Sequence, residues 1–182
     1  VVKRVHDVHV NGRVRDVPRE GGEVDGFEAF FRVQQPRLVA LALTSTADVE
    51  RARDLAQEAL VRAYRGWPMV SSLDQPGAWV RRVLLNLAID ASRRRHHEDD
   101  ANRRAGMASS VDESRPKVLD DEFWVAVRAL PDLQRSVVAL HYVDDLAVAD
   151  VARVLQVSEG SVKTSLHRAR ATLARTLEVE DD

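Results

Sequence analysis

The chain contains no cysteine, which excludes disulfide frameworks, thiol catalysis and cysteine-ligated zinc. Aromatic residues make up only 5% of its 182 residues. β-Branched alternation is scarce as well, so the pattern argues for helices rather than sheets. No apolar run approaches membrane-spanning length, and residues 1–26 lack the apolar core of a signal peptide, so no membrane insertion is expected. These absences fit a cytoplasmic protein. There is no glycine-rich phosphate loop, no nucleophile elbow and no carboxylate pair shared between segments; the chain is not expected to be an enzyme or to need a cofactor. His6, His9, His96, His97, His141 and His167 fall in no ligand spacing, and no metal site is expected. Neither sign of charge dominates: 27 Lys and Arg stand against 29 Asp and Glu, a net charge of −2. Any surface for a polyanion must therefore be local, with acid elsewhere balancing it.

Apolar residues, by contrast, reach 45%, enough for real cores in one domain or two small ones. Basic stretches lie at 81–95 and 162–175, and acidic ones at 98–100, 120–122 and 178–182. The bases are nearly all arginine, with lysine only at 3, 117 and 163. The spacing divides the chain into four parts. Residues 1–26 have no sustained period and read as a flexible arm, with a short strand at Val8–Val10. A first helical block covers 27–95. Residues 96–117 carry few apolar groups and read as a flexible linker. A second helical block covers 118–178. The expected fold class is all-α, two small helical domains joined by that linker.

The C-terminal block ends in a helix-turn-helix pattern. Val151, Ala152 and Leu155 form one apolar stripe, and Val162, Leu166, Ala169 and Leu173 a second at helical spacing. Ala152 is the small residue that two crossing helices need where they meet. Gln156-Val157-Ser158 fits a tight turn, with Ser158 placed to cap the next helix. The face opposite the second stripe carries Lys163, Thr164, His167, Arg168 and Arg170. A helix that buries one side and offers cations and hydroxyls on the other suits a DNA major groove; a solvated αα-hairpin is the plainer alternative.

The first block holds two further faces. From Asp54 to Trp67, Leu55, Ala56, Ala59, Leu60, Ala63, Tyr64 and Trp67 fill one side of an amphipathic helix, while Asp54, Gln57, Glu58, Arg62 and Arg65 take the other. Taken alone, that polar side is an ordinary solvated face. From Ala78 to Arg95, Trp79, Val80, Val83, Leu84, Leu87, Ala88 and Ala91 mark a buried side, with Arg82, Asn86, Asp90 and Arg93 about one turn apart opposite it. Asn86 is a poor helix former and a good base reader. The loop before this helix, 71–77, is short and polar and could pocket an unstacked base.

Taken in order, these segments resemble a bacterial extracytoplasmic-function (ECF) sigma factor over residues 27–178. Asp54-Leu55-Ala56-Gln57-Glu58 is similar to the family's second conserved region, Trp79 to Asp90 to its W-hydrophobic-x-x-I-A-x-N-x-x-x-D helix, Leu130-Pro131-Asp132-Leu133-Gln134-Arg135 to the start of its fourth region, and Gly160 to Arg170 to its −35 recognition helix. The resemblance implies no catalytic residue. It implies that Asp54, Gln57, Glu58 and Arg62 meet the β′ clamp helices of core RNA polymerase. Ser72, Leu73, Trp79, Arg82, Asn86, Asp90 and Arg93 would serve the −10 element of promoter DNA, and Ser161, Lys163, Thr164, His167 and Arg168 the −35 element. The β flap and an anti-sigma factor are the further partners it implies. Departures from the family pattern are Gln156 where a small turn residue is common, Ser165 in place of a frequent Arg, and Val148-Ala149 in place of an aromatic and an acid. An autonomous helix-turn-helix regulator and a sigma mimic that titrates an anti-sigma protein are the alternatives.

Overall fold

The computed structural model describes residues 21–104 and 122–178, without the side chains of 21–25, 99 and 178. Among the described residues there is no strand. Four helices form the N-terminal half: α1 (Gly21–Thr46), α2 (Val49–Arg65), α3 (Trp67–Ser71) and α4 (Pro76–Arg104). The C-terminal half contains α5 (Glu122–Ala129), α6 (Asp132–Val138), a π-helical turn (Ala139–Val143), α7 (Val148–Leu155) and α8 (Glu159–Glu178).

Helix boundaries follow local chemistry. Asp48 has extended backbone, and its carboxylate accepts the Arg51 N–H at 3.1 Å, satisfying one of the donors orphaned at the start of α2. Gly66 ends α2, its N–H returning to the Arg62 carbonyl at 3.2 Å. Pro68 sits in the first turn of α3, where its missing N–H is no loss. Ala52, Ala56, Ala59 and Ala63 are all buried along one side of α2. Without bulky side chains there, α2 packs closely on both α1 and α4.

Two boundaries differ from the composition-based reading. The segment from residue 96 was expected to be linker, yet α4 continues to Arg104. Propagating a helix adds one hydrogen bond per residue fixed, so a buried N-terminal half can carry a polar extension that could not nucleate by itself. Asp100 and Arg103 support it with an i,i+3 ion pair of 2.7 Å. By the same logic α1 begins at Gly21, inside the expected arm 1–26. The proposed strand at Val8–Val10 and the linker positions from 105 lie outside the described residues.

In the C-terminal half, Pro131 separates α5 from α6. Arg135 bridges that break from a buried position: its guanidinium donates to the Arg128 carbonyl at 2.7 Å and to Asp132 at 2.6 Å. His141 Nδ1 donates to the Leu146 carbonyl at 2.8 Å, tying the π-helical turn to the strand of chain that enters α7. The turn between α7 and α8 pivots on Gln156, at φ 55° and ψ 45°. The Ser158 hydroxyl caps α8 by accepting the Ser161 N–H at 3.1 Å.

Left-handed backbone disfavours a residue with a Cβ. Gln156→Gly should therefore raise stability by about 0.5–1 kcal/mol, less than the full strain because glycine also loosens the unfolded chain. A higher chemical-denaturation midpoint checks this; a lower one would show that the Gln156 side chain contributes more than its backbone strain removes.

The two halves share a core. Leu38, Leu41, Leu60, Val80 and Leu84 belong to one continuous buried cluster with Val137, Leu140, Val151, Val154, Val162 and Leu166. A smaller cluster of Ala126, Val127, Leu130, Val138, Ala169 and Leu173 closes α5 and α6 over the C-terminal part of α8. α4 packs on α7, and α1 packs on α5 and the π-helical turn. The C-terminal half thus lies directly against the N-terminal half.

Candidate nucleic-acid interface

Helix α8 separates its two sides sharply. Val162, Leu166, Ala169 and Leu173 are buried, and Ala152 of α7 is buried with them. Ser161, Lys163, Thr164, His167 and Arg168 are all exposed. Ser165, where the sequence departs from the family pattern, is only 7% exposed and lies on the packed side, so it is no part of the exposed row. Arg170 is turned aside, its Nε donating to the Tyr142 hydroxyl at 2.7 Å with the guanidinium 5.8 Å from the ring centre. What remains is a row of two cations, two hydroxyls and an imidazole on a rigid helix, held out by a buried opposite side. That arrangement fits base edges and phosphates in a major groove.

On α2, Asp54, Gln57, Glu58 and Arg62 are exposed along one side, with Glu58 and Arg62 paired at 2.8 Å. The pair is solvated on both sides and contributes little to stability. It leaves an acid-and-amide face available to a partner.

The expected −10 residues divide. Asn86 and Asp90 on α4 are exposed, and so is Ser72, whose hydroxyl donates to the Met69 carbonyl at 2.7 Å. Leu73 and Trp79 are half-buried. Arg82 and Arg93 are engaged elsewhere. Arg82 Nε donates to the Val154 carbonyl at 2.7 Å and its Nη2 to the Arg153 carbonyl at 3.0 Å. Burial pushes its pKa below the ordinary arginine value, though a guanidinium still keeps its charge at neutral pH. Arg93 pairs with Asp132 at 2.9 Å.

Between these lies a residue that sequence reasoning passed over. Arg81 forms an ion pair with Asp144, and their side chains are only 8% and 5% exposed. Space for it comes from Gly77, one turn back on α4. A Cβ there would stand 2.6 Å from Arg81 Nη1 and 3.2 Å from Gln34 Nε2. The signal was glycine at i−4 from an arginine flanked by Val80 and Leu84; in a basic stretch, that arginine reads as one more surface charge.

Among the described residues no group of three or more acidic, histidine or cysteine side chains could hold a metal ion. No helix there is long and apolar enough to cross a membrane.

Two family models match the chain: Sigma-70 region 2 over residues 30–98 and Sigma-70, region 4 over residues 120–173. The RNA polymerase sigma-E factor of Streptomyces avermitilis is 35% identical over 161 residues, covering 88% of this chain and 89% of that protein. The ECF RNA polymerase sigma factor SigM of Mycobacterium tuberculosis is 30% identical over 165 residues, covering 86% and 79%. Among solved structures, the sigma factor RpoE bound to the anti-sigma factor NepR, from Bartonella quintana, superposes with a TM-score of 0.66 at 23% identity, covering 85% of this chain and 98% of that one. CnrH in complex with the cytosolic domain of CnrY gives 0.63 at 21% identity, covering 87% and 92%. At those identities the two structures share the fold.

Proposed function

Because the chain belongs to the ECF RNA polymerase sigma factors, we propose that its exposed faces divide the work of initiation between polymerase, the −10 element and the −35 element. A sigma factor directs promoter recognition and transcription initiation. On this reading Asp54, Gln57, Glu58 and Arg62 of α2 meet the β′ clamp helices of core polymerase, and the C-terminal half meets the β flap. Ser161, Lys163, Thr164, His167 and Arg168 of α8 read the −35 element. Asn86 and Asp90 of α4, with Trp79, Arg82, Arg93 and the loop bearing Ser72 and Leu73, receive the −10 strand. Working beside polymerase places the protein in the cytoplasm. An anti-sigma factor is a further partner, because the fold is shared with the sigma factor RpoE solved in complex with the anti-sigma factor NepR. No catalytic role is proposed.

The observation that carries the reading is the exposed row on α8 together with a second polar face on α2, both on elements fixed by one core. A stand-alone DNA regulator has a use for the first and none for the second. Run-off transcription with core polymerase, with and without the chain, on pooled genomic fragments tests it. New discrete starts sharing two spaced upstream elements are expected. Tight operator binding without polymerase, and no new starts, would replace this reading with an autonomous regulator.

Asn86 gives the sharpest test at the −10 element. Its side chain is exposed, so Asn86→Ala removes hydrogen-bonding groups without opening a cavity. Losing one good base contact, about 1–3 kcal/mol, should lower open-complex formation roughly tenfold or more while polymerase binding persists. Permanganate reactivity of the melted region measures this, and unchanged melting would remove Asn86 from the −10 surface.

A further inference from the structure

We infer that a basic row on the C-terminal part of α4 is a second DNA site: Arg94, His97 and Arg104 hold backbone phosphates of the promoter duplex just upstream of the −10 element, in the spacer that leads to the −35 element. The inference rests on the reading of α4 as the −10 surface and lengthens that surface by about three helical turns.

Helical spacing sets the row. Asn86, Asp90, Arg94, His97, Ala101 and Arg104 follow one another at intervals of four, four, three, four and three. That sequence of intervals averages the helical repeat of about 3.6 residues and keeps all six on one side of α4. All six are exposed. None of the described side chains from Arg93 to Arg104 is buried, so packing gives this stretch no reason to carry a one-sided stripe. Arg94, His97 and Arg104 make no hydrogen bond or ion pair with another described residue, whereas Arg93 pairs with Asp132 and Arg103 with Asp100. Two guanidiniums and an imidazole thus extend the line of Asn86 and Asp90 without an internal partner.

Two plainer roles cover only part of this. A cation in the last turn suits the negative end of the helix dipole, which accounts for Arg104. Arg94 lies ten residues before that end, outside the last turn. Ion pairs support a polar helix, but the Asp100–Arg103 pair lies off the row. A run of phosphates fits the whole row. From Asp90 to Arg104 the helix extends about 21 Å at 1.5 Å per residue, which matches about six base pairs of duplex at 3.4 Å each. The order along α4 gives the direction. The loop bearing Ser72 and Leu73, proposed to receive the unstacked −10 base, precedes α4. Asn86 and Asp90 come next, and the duplex beyond them runs toward the −35 element. Arginine and imidazole N–H groups donate to phosphate oxygens. Such contacts set register and affinity without reading sequence. Glu98 is exposed at the edge of the row and lowers its net charge, so the two arginines carry most of the attraction.

The test uses holoenzyme, formed from core polymerase and the full chain, on a promoter identified by run-off transcription. Arg94→Ala combined with Arg104→Ala should weaken promoter binding roughly tenfold and make the salt slope shallower by about two, one per cation removed, while affinity for core polymerase stays at the wild-type value. Both sites are exposed and alanine favours helix, so the variant should fold. Methylphosphonate linkages remove the backbone charge. Placed across about six base pairs directly upstream of the −10 element, they should weaken the wild-type holoenzyme by a similar factor and the double variant hardly further. A wild-type holoenzyme indifferent to the neutral spacer would overturn the inference, and that result needs no variant to fold. Equal losses from the neutral spacer in both proteins would overturn it too. So would a variant defect that lies in binding core polymerase, which would make the row a protein contact. Scrambling the −10 element separates this inference from the reading beneath it. A wild-type holoenzyme that needs the element and ignores spacer charge refutes the spacer contact alone. One that ignores the element refutes the −10 assignment of α4, and the spacer contact with it.

Discussion

Leu84→Ala is expected to destabilise the protein by about 3–5 kcal/mol, the upper part of the range for deleting a fully buried leucine, and to do so for both halves at once. Leu84 is 0% exposed, and its cluster runs from Leu38 and Leu60 in the N-terminal half to Val137, Val154 and Leu166 in the C-terminal half. It sits on α4, the helix that packs against α1, α2 and α7. A cavity at that position removes contacts that no single element can collapse to replace. For a chain of this size each kcal/mol moves the melting temperature by roughly 2–4 °C, so a fall of about 10 °C is expected. Calorimetry should show one transition, shifted as a unit, because the shared core couples the two halves. Two transitions, only the first of them moved, would mean that the halves unfold independently and that their common cluster adds little.

That coupling is the part of the fold that sequence spacing does not convey. An apolar stripe states that a face is buried without stating against what. Val151, Ala152 and Val162 looked like the private core of a helix-turn-helix, and they serve that role while also abutting the N-terminal half. Local signals fared better because local chemistry decides them. The Ser158 cap and the buried set Val162, Leu166, Ala169 and Leu173 follow from neighbours a few residues apart. So does the tight turn at Gln156, where the chain must reverse within three residues whichever partner it meets.

The candidate site shows the same division. Exposure of Asp54, Gln57 and Glu58 was legible from the amphipathic period; their assignment to polymerase came from family resemblance alone. On α4, spacing put Arg82, Asn86, Asp90 and Arg93 together, yet Asn86 and Asp90 face solvent while Arg82 and Arg93 meet carbonyls and a carboxylate far away in sequence. Charge is a poor guide to exposure when the neutralising partner is remote. Arg81 is the extreme case, since its partner Asp144 lies 63 residues along the chain. Composition misled at residue 96 for the opposite reason. A polar segment cannot bury a core, but as an extension of α4 it does not need one.

Lys163→Ala combined with Arg168→Ala is expected to reduce transcription from promoters that depend on a −35 element by on the order of a hundredfold, and to leave −35-independent promoters near wild type. Both side chains are exposed on α8, and the packing below them comes from Val162, Leu166 and Ala169. The double variant should therefore fold normally, since alanine is at least as good a helix former as lysine or arginine. If each side chain makes one good base contact, worth about 1–3 kcal/mol, the pair accounts for a loss of that size. If they touch only phosphates, the loss is sequence-independent and the salt slope of promoter binding falls by about one per cation removed. Paired templates that differ only in the −35 element, transcribed over a range of salt, separate the two cases. A loss confined to the template with the element assigns base reading to Lys163 and Arg168. Equal loss on both templates with a shallower salt slope makes them backbone anchors. No loss on either would remove α8 as the −35 reader, and the selectivity of the factor would then have to reside in α4, the surface whose arginines the C-terminal half already holds.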